Sequence, residues 1–250
     1  MSRGLVRFWA IFALAAVSAG AQTVDDVITK SIEAQGGLAR LESVKTLRTS
    51  GKLSIQSFDV RFVEVAKRSD KVREEMTVQG MSQVRAYDGK TAWQVNPFEG
   101  RRDPEMLSAD DSKDLQIDAD IDGPLVNYKE KGYGADLVGH DSVEGTDCYK
   151  IKLTLKNGDI RYYYLDTDTF MELKLETQTS IRGSIQENET YYGDYEEVNG
   201  IYYPFAFETG QKGSVDRVKF TVEKVEQNVP LDDSLFSMPA VKKPAATGAD

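Results

Sequence analysis

The side chains that most often carry chemistry are scarce in this sequence. His140 is the single histidine and Cys148 the single cysteine among 250 residues. One imidazole excludes His-based metal clusters and Cys/His catalytic pairs. His140 lies in Gly139-His140-Asp141, a strand end or turn with no ligand set around it, and reads as structural. Cys148 opens Cys148-Tyr149-Lys150-Ile151, where it alternates with polar groups; alone it forms no internal disulfide, and it reads as a small packed apolar residue. The run Asp118-Ala119-Asp120-Ile121-Asp122 lacks the glycine and terminal glutamate of a calcium loop, so it reads as a solvated acidic helix end. Glu74-Glu75 and Glu196-Glu197 point to opposite faces of a strand, which rules them out as carboxylate pairs for glycoside hydrolysis. No GxSxG or P-loop pattern occurs. No catalytic residue, metal or cofactor is expected, and the chain reads as a non-enzyme.

The elements that position these residues follow from periodicity. Val24, Val27, Ile28 and Ile32 share one face of a helix expected over 23–34, with Thr23 as cap and Asp26 completing a capping box. Gly36-Gly37 stops it. From Leu47 onward the period is two. Asp88-Gly89 signals a tight turn, and Trp93 and Val95 sit two apart on one face of the strand after it. Asn96-Pro97 ends that strand, because proline has no N–H for a ladder. Acidic and proline-containing sequence over 99–111 breaks the pattern, and 112–121 returns to helical spacing. Asn157-Gly158 is a strong hairpin signal between strands over 147–156 and 159–166. Further strands follow to residue 228, and Leu235 and Phe236 are expected to dock. This gives about ten or eleven strands joined by short turns, without βαβ spacing: one highly curved antiparallel meander. A sheet of that length curls, closes or needs covering. The only covering pieces are the N-terminal helix and the insertion around 105–131.

The formal net charge is −10 and the pI about 4.8, opposite to a nucleic-acid footprint, so no nucleic acid is expected as a partner. Arg3 and Arg7, the uncharged run over 8–17 and Ala19-Gly20-Ala21 form a secretory signal peptide over 1–21, expected to be cleaved before Gln22. The apolar run is shorter than the roughly 18–20 residues of a membrane span. No cysteine follows the cleavage site to accept a lipid. Residues 241–250 are rich in Lys, Pro, Ala and Gly and are expected to be a disordered tail.

The stretch Tyr87–Phe98 closely resembles the DGKTxWxxNP hairpin of the periplasmic lipoprotein carriers of the outer-membrane lipoprotein localisation pathway, the LolA/LolB-like family. Val65-Ala66-Lys67-Arg68 stands where those carriers have a VKRP-like strand end, with Ser69 in place of proline. Asp122-Gly123-Pro124-Leu125 and the 192–204 stretch resemble a broader carrier-like branch. The resemblance implies a mainly β fold, an incomplete (open) antiparallel barrel of about 10–11 strands with a helical lid over an apolar cavity, formed by one domain over 22–240. The cavity is then expected to be lined by Val63, Val65, Tyr87, Trp93 and Val95 from the first strands. The insertion would add Leu115, Ile117, Ile121 and Leu125, and the later strands Tyr162, Tyr164, Phe205 and Phe207. Arg68 takes the family's lid-locking position, with Arg73 as a nearby competitor. The resemblance implies a soluble, monomeric periplasmic carrier of the acyl chains of lipoproteins or a related lipid. Its partners would be an inner-membrane extraction complex and an outer-membrane acceptor. The alternative of the same fold is a periplasmic sensing domain that binds a protein partner in envelope-stress signalling.

Overall fold

The computed structural model describes residues 22–55 and 58–240; the expected signal peptide and C-terminal tail lie outside the described residues. Two helices open the described residues, α1 (Val24–Gln35) and α2 (Leu38–Ser43). Thr23 caps α1 in a full capping box, its hydroxyl accepting from the Asp26 amide while the Asp26 carboxylate accepts from the Thr23 amide. Gly36 then turns the chain at φ +131°. A Cβ there would lie 2.2 Å from the Gly200 carbonyl, so only glycine lets the end of α1 touch the sheet.

Six strands follow: β1 (Thr46–Ile55), β2 (Phe58–Lys67), β3 (Lys71–Val78), β4 (Met81–Tyr87), β5 (Ala92–Asn96) and β6 (Arg101–Met106). Helix α3 (Lys113–Asp118) and a series of turns lead to seven more. These are β7 (Gly134–Val143), β8 (Thr146–Thr154), β9 (Ile160–Asp166), β10 (Glu172–Ile181), β11 (Ser184–Val198), β12 (Ile201–Gln211) and β13 (Val218–Gln227). All thirteen form one antiparallel sheet in the order β6-β5-β4-β3-β2-β1-β13-β12-β11-β10-β9-β8-β7. The first and last strands pair at its centre. The open edges, β6 and β7, are neighbours in sequence, so the α3 segment that links them spans the gap the sheet leaves.

The expected mainly β, unclosed architecture is the observed one, with two more strands than the upper expectation. One strand missed in the sequence is β6, which falls in the stretch read as a break. Pro104 lies in it, and an edge strand tolerates a residue with no N–H. Helix α3 is shorter than the expected 112–121, and the Asp88-Gly89 and Asn157-Gly158 turns occur as expected.

Strand alternation divides the sheet into two unlike faces. On the outer face Trp93 is buried with Val84 and Ala86, with Val95 and Met238 packed beside them. The Trp93 indole N–H donates to the Phe236 carbonyl at 2.7 Å. Phe236 is fully buried, whereas Leu235, also expected to dock, is exposed. The hairpin tryptophan therefore fastens the end of the described chain to the outside of the sheet. Trp93→Ala is expected to cost about 3–5 kcal/mol in chemical denaturation. It should also speed amide exchange at 233–238; unchanged exchange there would contradict the docking role.

Candidate functional site

The inner face is where the helices lie. Arg68, in the turn after β2, reaches them with all three guanidinium nitrogens. Nε donates to the Val44 carbonyl at 2.6 Å and Nη2 to the Leu41 carbonyl at 2.7 Å. These two carbonyls lie at the C-terminal end of α2, where a helix leaves acceptors unsatisfied and its dipole is negative. Nη1 and Nη2 also donate to the two Asp122 carboxylate oxygens at 2.6 and 2.7 Å, a bidentate pair beyond α3. One side chain thus ties β2, α2 and the α3 segment together. Ser69 adopts φ +75°, which a proline ring at that position cannot reach. Arg73, the competing candidate, faces outward over the Trp93 ring and donates to Glu75 at 3.2 Å.

Beneath the cover, the centre of the inner face is aromatic. Phe62 and Phe220 meet edge to face at 5.6 Å, Phe220 stacks on Phe207 at 4.4 Å, and Phe207 meets Tyr192 at 6.3 Å. Phe205, Met76 and Tyr203 join this cluster and are half-buried. Gly51 makes room for it: a Cβ there would fall 2.1 Å from the Thr221 carbonyl and 2.9 Å from Phe62. Strands β1, β13 and β2 therefore come close enough for Phe62 to lie across the backbone.

The flanks are not apolar. Thr49, Glu64, Glu74, Arg85 and Gln94 form one cross-strand row from β1 to β5. Glu64 and Glu74 are direct neighbours in that row, a repulsive placement. Arg85 lies 3.4 Å from Glu74 and also pairs with Asp114 of α3 at 2.8 Å. Burial, with the nearby Asp118 carboxylate adding to it, pushes Glu64 up to about 8. Burial likewise holds Glu74 well above the carboxylate range, with Asp118 adding and Arg85 opposing. Asp118 itself is raised to about 6 by its enclosure, against the pull of Arg161. Its side chain is accessible, and its α3 neighbours Asp114 and Ile117 line an adjacent cleft. That cleft has a volume of about 630 Å³ between α3 and the two flanks of the sheet, and Arg85, Gln94, Ile117, Arg161, Thr177 and Asn188 line it. A second hollow of about 800 Å³ lies between α1, α2 and 125–130, with Ile28, Ile32, Leu38 and Leu125 on its walls.

The structure separates the expected cavity residues. Tyr87, Leu115 and Ile121 pack together under α3, while Ile117 and Leu125 pack on the core beneath α1. Phe205 and Phe207 lie in the aromatic floor. Trp93 and Val95 face outward with the C-terminal segment. Tyr162 and Tyr164 also face outward, into a cluster with Cys148, and Lys150 lies 5.4 and 4.8 Å from their rings. Val63 and Val65 pair with Glu75 and Arg73 in the register opposite to Ala66 and Val72. Those six residues do not line the interior, because a strand presents every second side chain to each face. Only the middle member of the Tyr162-Tyr163-Tyr164 run points inward. Polar and charged side chains reach the inner face for the same reason. Glu64, Arg85 and Arg161 occupy inward positions beside Glu74, the one of the four read from the sequence, as half of a carboxylate pair split between two faces. The signal for them was the shared parity of Phe62, Glu64 and Ala66 with Val72, Glu74 and Met76.

A family model described only as "Uncharacterized protein" matches residues 119–243, half of the chain. No curated protein matches the chain in sequence. A LolA superfamily protein from Nitrosomonas europaea superposes with a TM-score of 0.58 at 14% identity, over 87% of this chain and 98% of its own. A DUF1329 family protein from Desulfovibrio piger gives 0.59 at 14% identity, over 87% and 98%. An outer membrane lipoprotein-sorting protein domain from Vibrio parahaemolyticus gives 0.55 at 12% identity, over 84% and 95%. The fold is LolA/LolB-like; at these identities the likeness extends to the fold alone.

The raised inward carboxyls make stability fall as pH rises. Glu64 keeps its proton to about 8 in the folded chain against an ordinary 4.5. The folded state therefore binds more protons between those values, and the associated stability is complete below the lower one and lost through the upper one. Glu64→Gln is expected to melt above the unsubstituted protein by roughly 2–6 °C near pH 9. The two should coincide near pH 4. Equal melting at both pH values in calorimetry would contradict the enclosed position of Glu64.

Proposed function

The chain belongs to the family matched over residues 119–243, and with its LolA/LolB-like sheet as the further premise we propose that it carries the acyl chains of lipoproteins or a related lipid. The observation that supports this most is the half-buried aromatic floor beneath a cover fastened at Arg68. On this reading the chain is exported by residues 1–21, works as a monomer in the periplasm, and performs no covalent chemistry. It receives cargo from an inner-membrane extraction complex and passes it to an outer-membrane acceptor.

The energetics set what such a carrier must do. Each buried methylene is worth about 0.8 kcal/mol, so a chain of roughly fifteen carries on the order of 10 kcal/mol. Spontaneous release into water is correspondingly slow, and transfer needs a site that encloses the tail and then opens. Arg68 suits the fastening role because its charge persists at every working pH and its fork satisfies several acceptors at once. Cargo entering over the aromatic floor displaces the cover and breaks those bonds.

Two measurements test the reading. Mass spectrometry of lipids that co-purify with the protein from the cells that make it is expected to find acylated species in substoichiometric or greater amounts; a consistently empty protein contradicts carriage. Arg68→Leu is expected to fold and to slow transfer of a pyrene-labelled diacyl peptide between vesicles about tenfold or more, the scale of a lost charged hydrogen-bond set. Transfer at the unsubstituted rate would remove Arg68 from the mechanism.

A further inference from the structure

On the β9–β11 side of the interior, polar groups are left without partners. The Tyr163 hydroxyl is buried, the residue 3% exposed, and it has no partner in hydrogen-bond geometry, although the Arg161 guanidinium is beside it. One carboxyl oxygen of Glu172, Oε1, is likewise buried and unpaired. Between them in influence stands Arg161, which acts on both and forms no ion pair with any carboxylate among the described residues. An unpaired buried polar atom costs about 1–3 kcal/mol, so two such atoms near a guanidinium without a carboxylate partner call for a cause. Tyr195, from β11, donates to the Glu172 backbone carbonyl at 2.7 Å and fixes that strand end.

We propose that Arg161, Tyr163 and Glu172 anchor the carboxyl oxygens, as free acid or as ester, at the head of an acylated ligand whose tail runs over Tyr192, Phe207 and Phe220. This rests on the carrier reading above and names the part of the cargo the site recognises. The chemistry of the three groups agrees. The guanidinium and the phenol are donors, and burial pushes Glu172 up to about 8 against the pull of Arg161, so at neutral pH its carboxyl is also a donor. The β9–β10 register sets Arg161, Tyr163 and Glu172 along the inward face of the sheet, Glu172 opposite Leu165, and three donors there fit acceptor oxygens. The tail's path follows the rings: Tyr192 meets Phe207 at 6.3 Å, and Phe207 stacks on Phe220 at 4.4 Å. From β9 to β13 that path crosses four strand spacings, roughly 19 Å, comparable with an extended long acyl chain. Asp118, the last residue of α3, is the cover's own carboxylate near Arg161. A ligand carboxyl at Arg161 competes with it, which links occupancy of the head site to the position of the cover.

The test uses the full chain with palmitate, methyl palmitate and hexadecane, measured by equilibrium partition of labelled ligand. The unsubstituted protein is expected to bind palmitate about tenfold or more tightly than hexadecane. Binding of palmitate alone identifies a free acid as the ligand head, and equal binding of its ester identifies an esterified lipid; both support the site. Tyr163→Phe is expected to lose about tenfold for the favoured ligand, leave hexadecane unchanged, and melt no lower than the unsubstituted protein, since it deletes an unsatisfied hydroxyl. Arg161→Met should reproduce the ligand-selective loss. Hexadecane binding as tightly as palmitate, or Tyr163→Phe with unchanged palmitate affinity, overturns the head site while leaving the carrier reading in place. Absence of binding by all three ligands overturns both.

Discussion

The guanidinium of Arg68 is where three separate parts of this fold are held together. It follows the inward row of β2, satisfies the last carbonyls of α2 and grips Asp122 beyond α3. The sheet itself cannot enclose anything, because its edge strands β6 and β7 do not pair. Enclosure depends on the segment between them, and that segment is secured through Asp122. A partly buried charged hydrogen-bond set of this kind is worth about 1–3 kcal/mol. A fastening of that size would hold an open form to a minor population, of order 0.1–10%. Acyl burial on the order of 10 kcal/mol exceeds it several-fold, so a ligand has enough binding energy to hold the cover open.

The interior divides its labour between two kinds of surface. The floor under the cover is aromatic and close-packed at the rings, which suits a tail. The flanks carry Glu64, Glu74, Asp118, Arg161 and Glu172, several of them raised by enclosure. Charged groups in such a place cost stability, and nothing in the packing of the sheet requires them. The outer face shows the contrast: there Lys174 pairs with Glu176 and Glu189 at 2.8 and 2.9 Å, and Arg217 with Glu189 at 2.8 Å. Outside, buried charges are matched to one another; inside, several are not.

Much of the architecture was legible in residues that act locally. Thr23 and Asp26 specify the start of α1, and Asp88-Gly89 and Asn157-Gly158 specify hairpins through short-range backbone chemistry. Arg68 was legible as a motif position, while its contacts with α2 and Asp122 depend on segments far from it in sequence. What resisted reading was the parity of each strand. A shift of one residue exchanges the two faces, and Val63, Val65, Trp93, Val95, Tyr162 and Tyr164 are apolar or aromatic residues whose outward burial depends on partners far along the chain. Trp93 is buried by Phe236, 143 positions away. The same parity hid Glu64 and Arg161, whose inward direction is fixed by pairing with β3 and β10 rather than by their own neighbours. Strand β6 was hidden because Pro104 is compatible with a sheet only at an edge, and edge status is a property of the whole topology.

The proposed carriage requires a cover that shifts when the aromatic floor is occupied. Amide hydrogen exchange on the full chain, with and without saturating palmitate, measures this most directly. Faster exchange confined to 41–45 and 119–123, with β1, β12 and β13 unchanged, is the predicted result. Slower exchange in those two segments, or none of them responding while palmitate is bound, would contradict it.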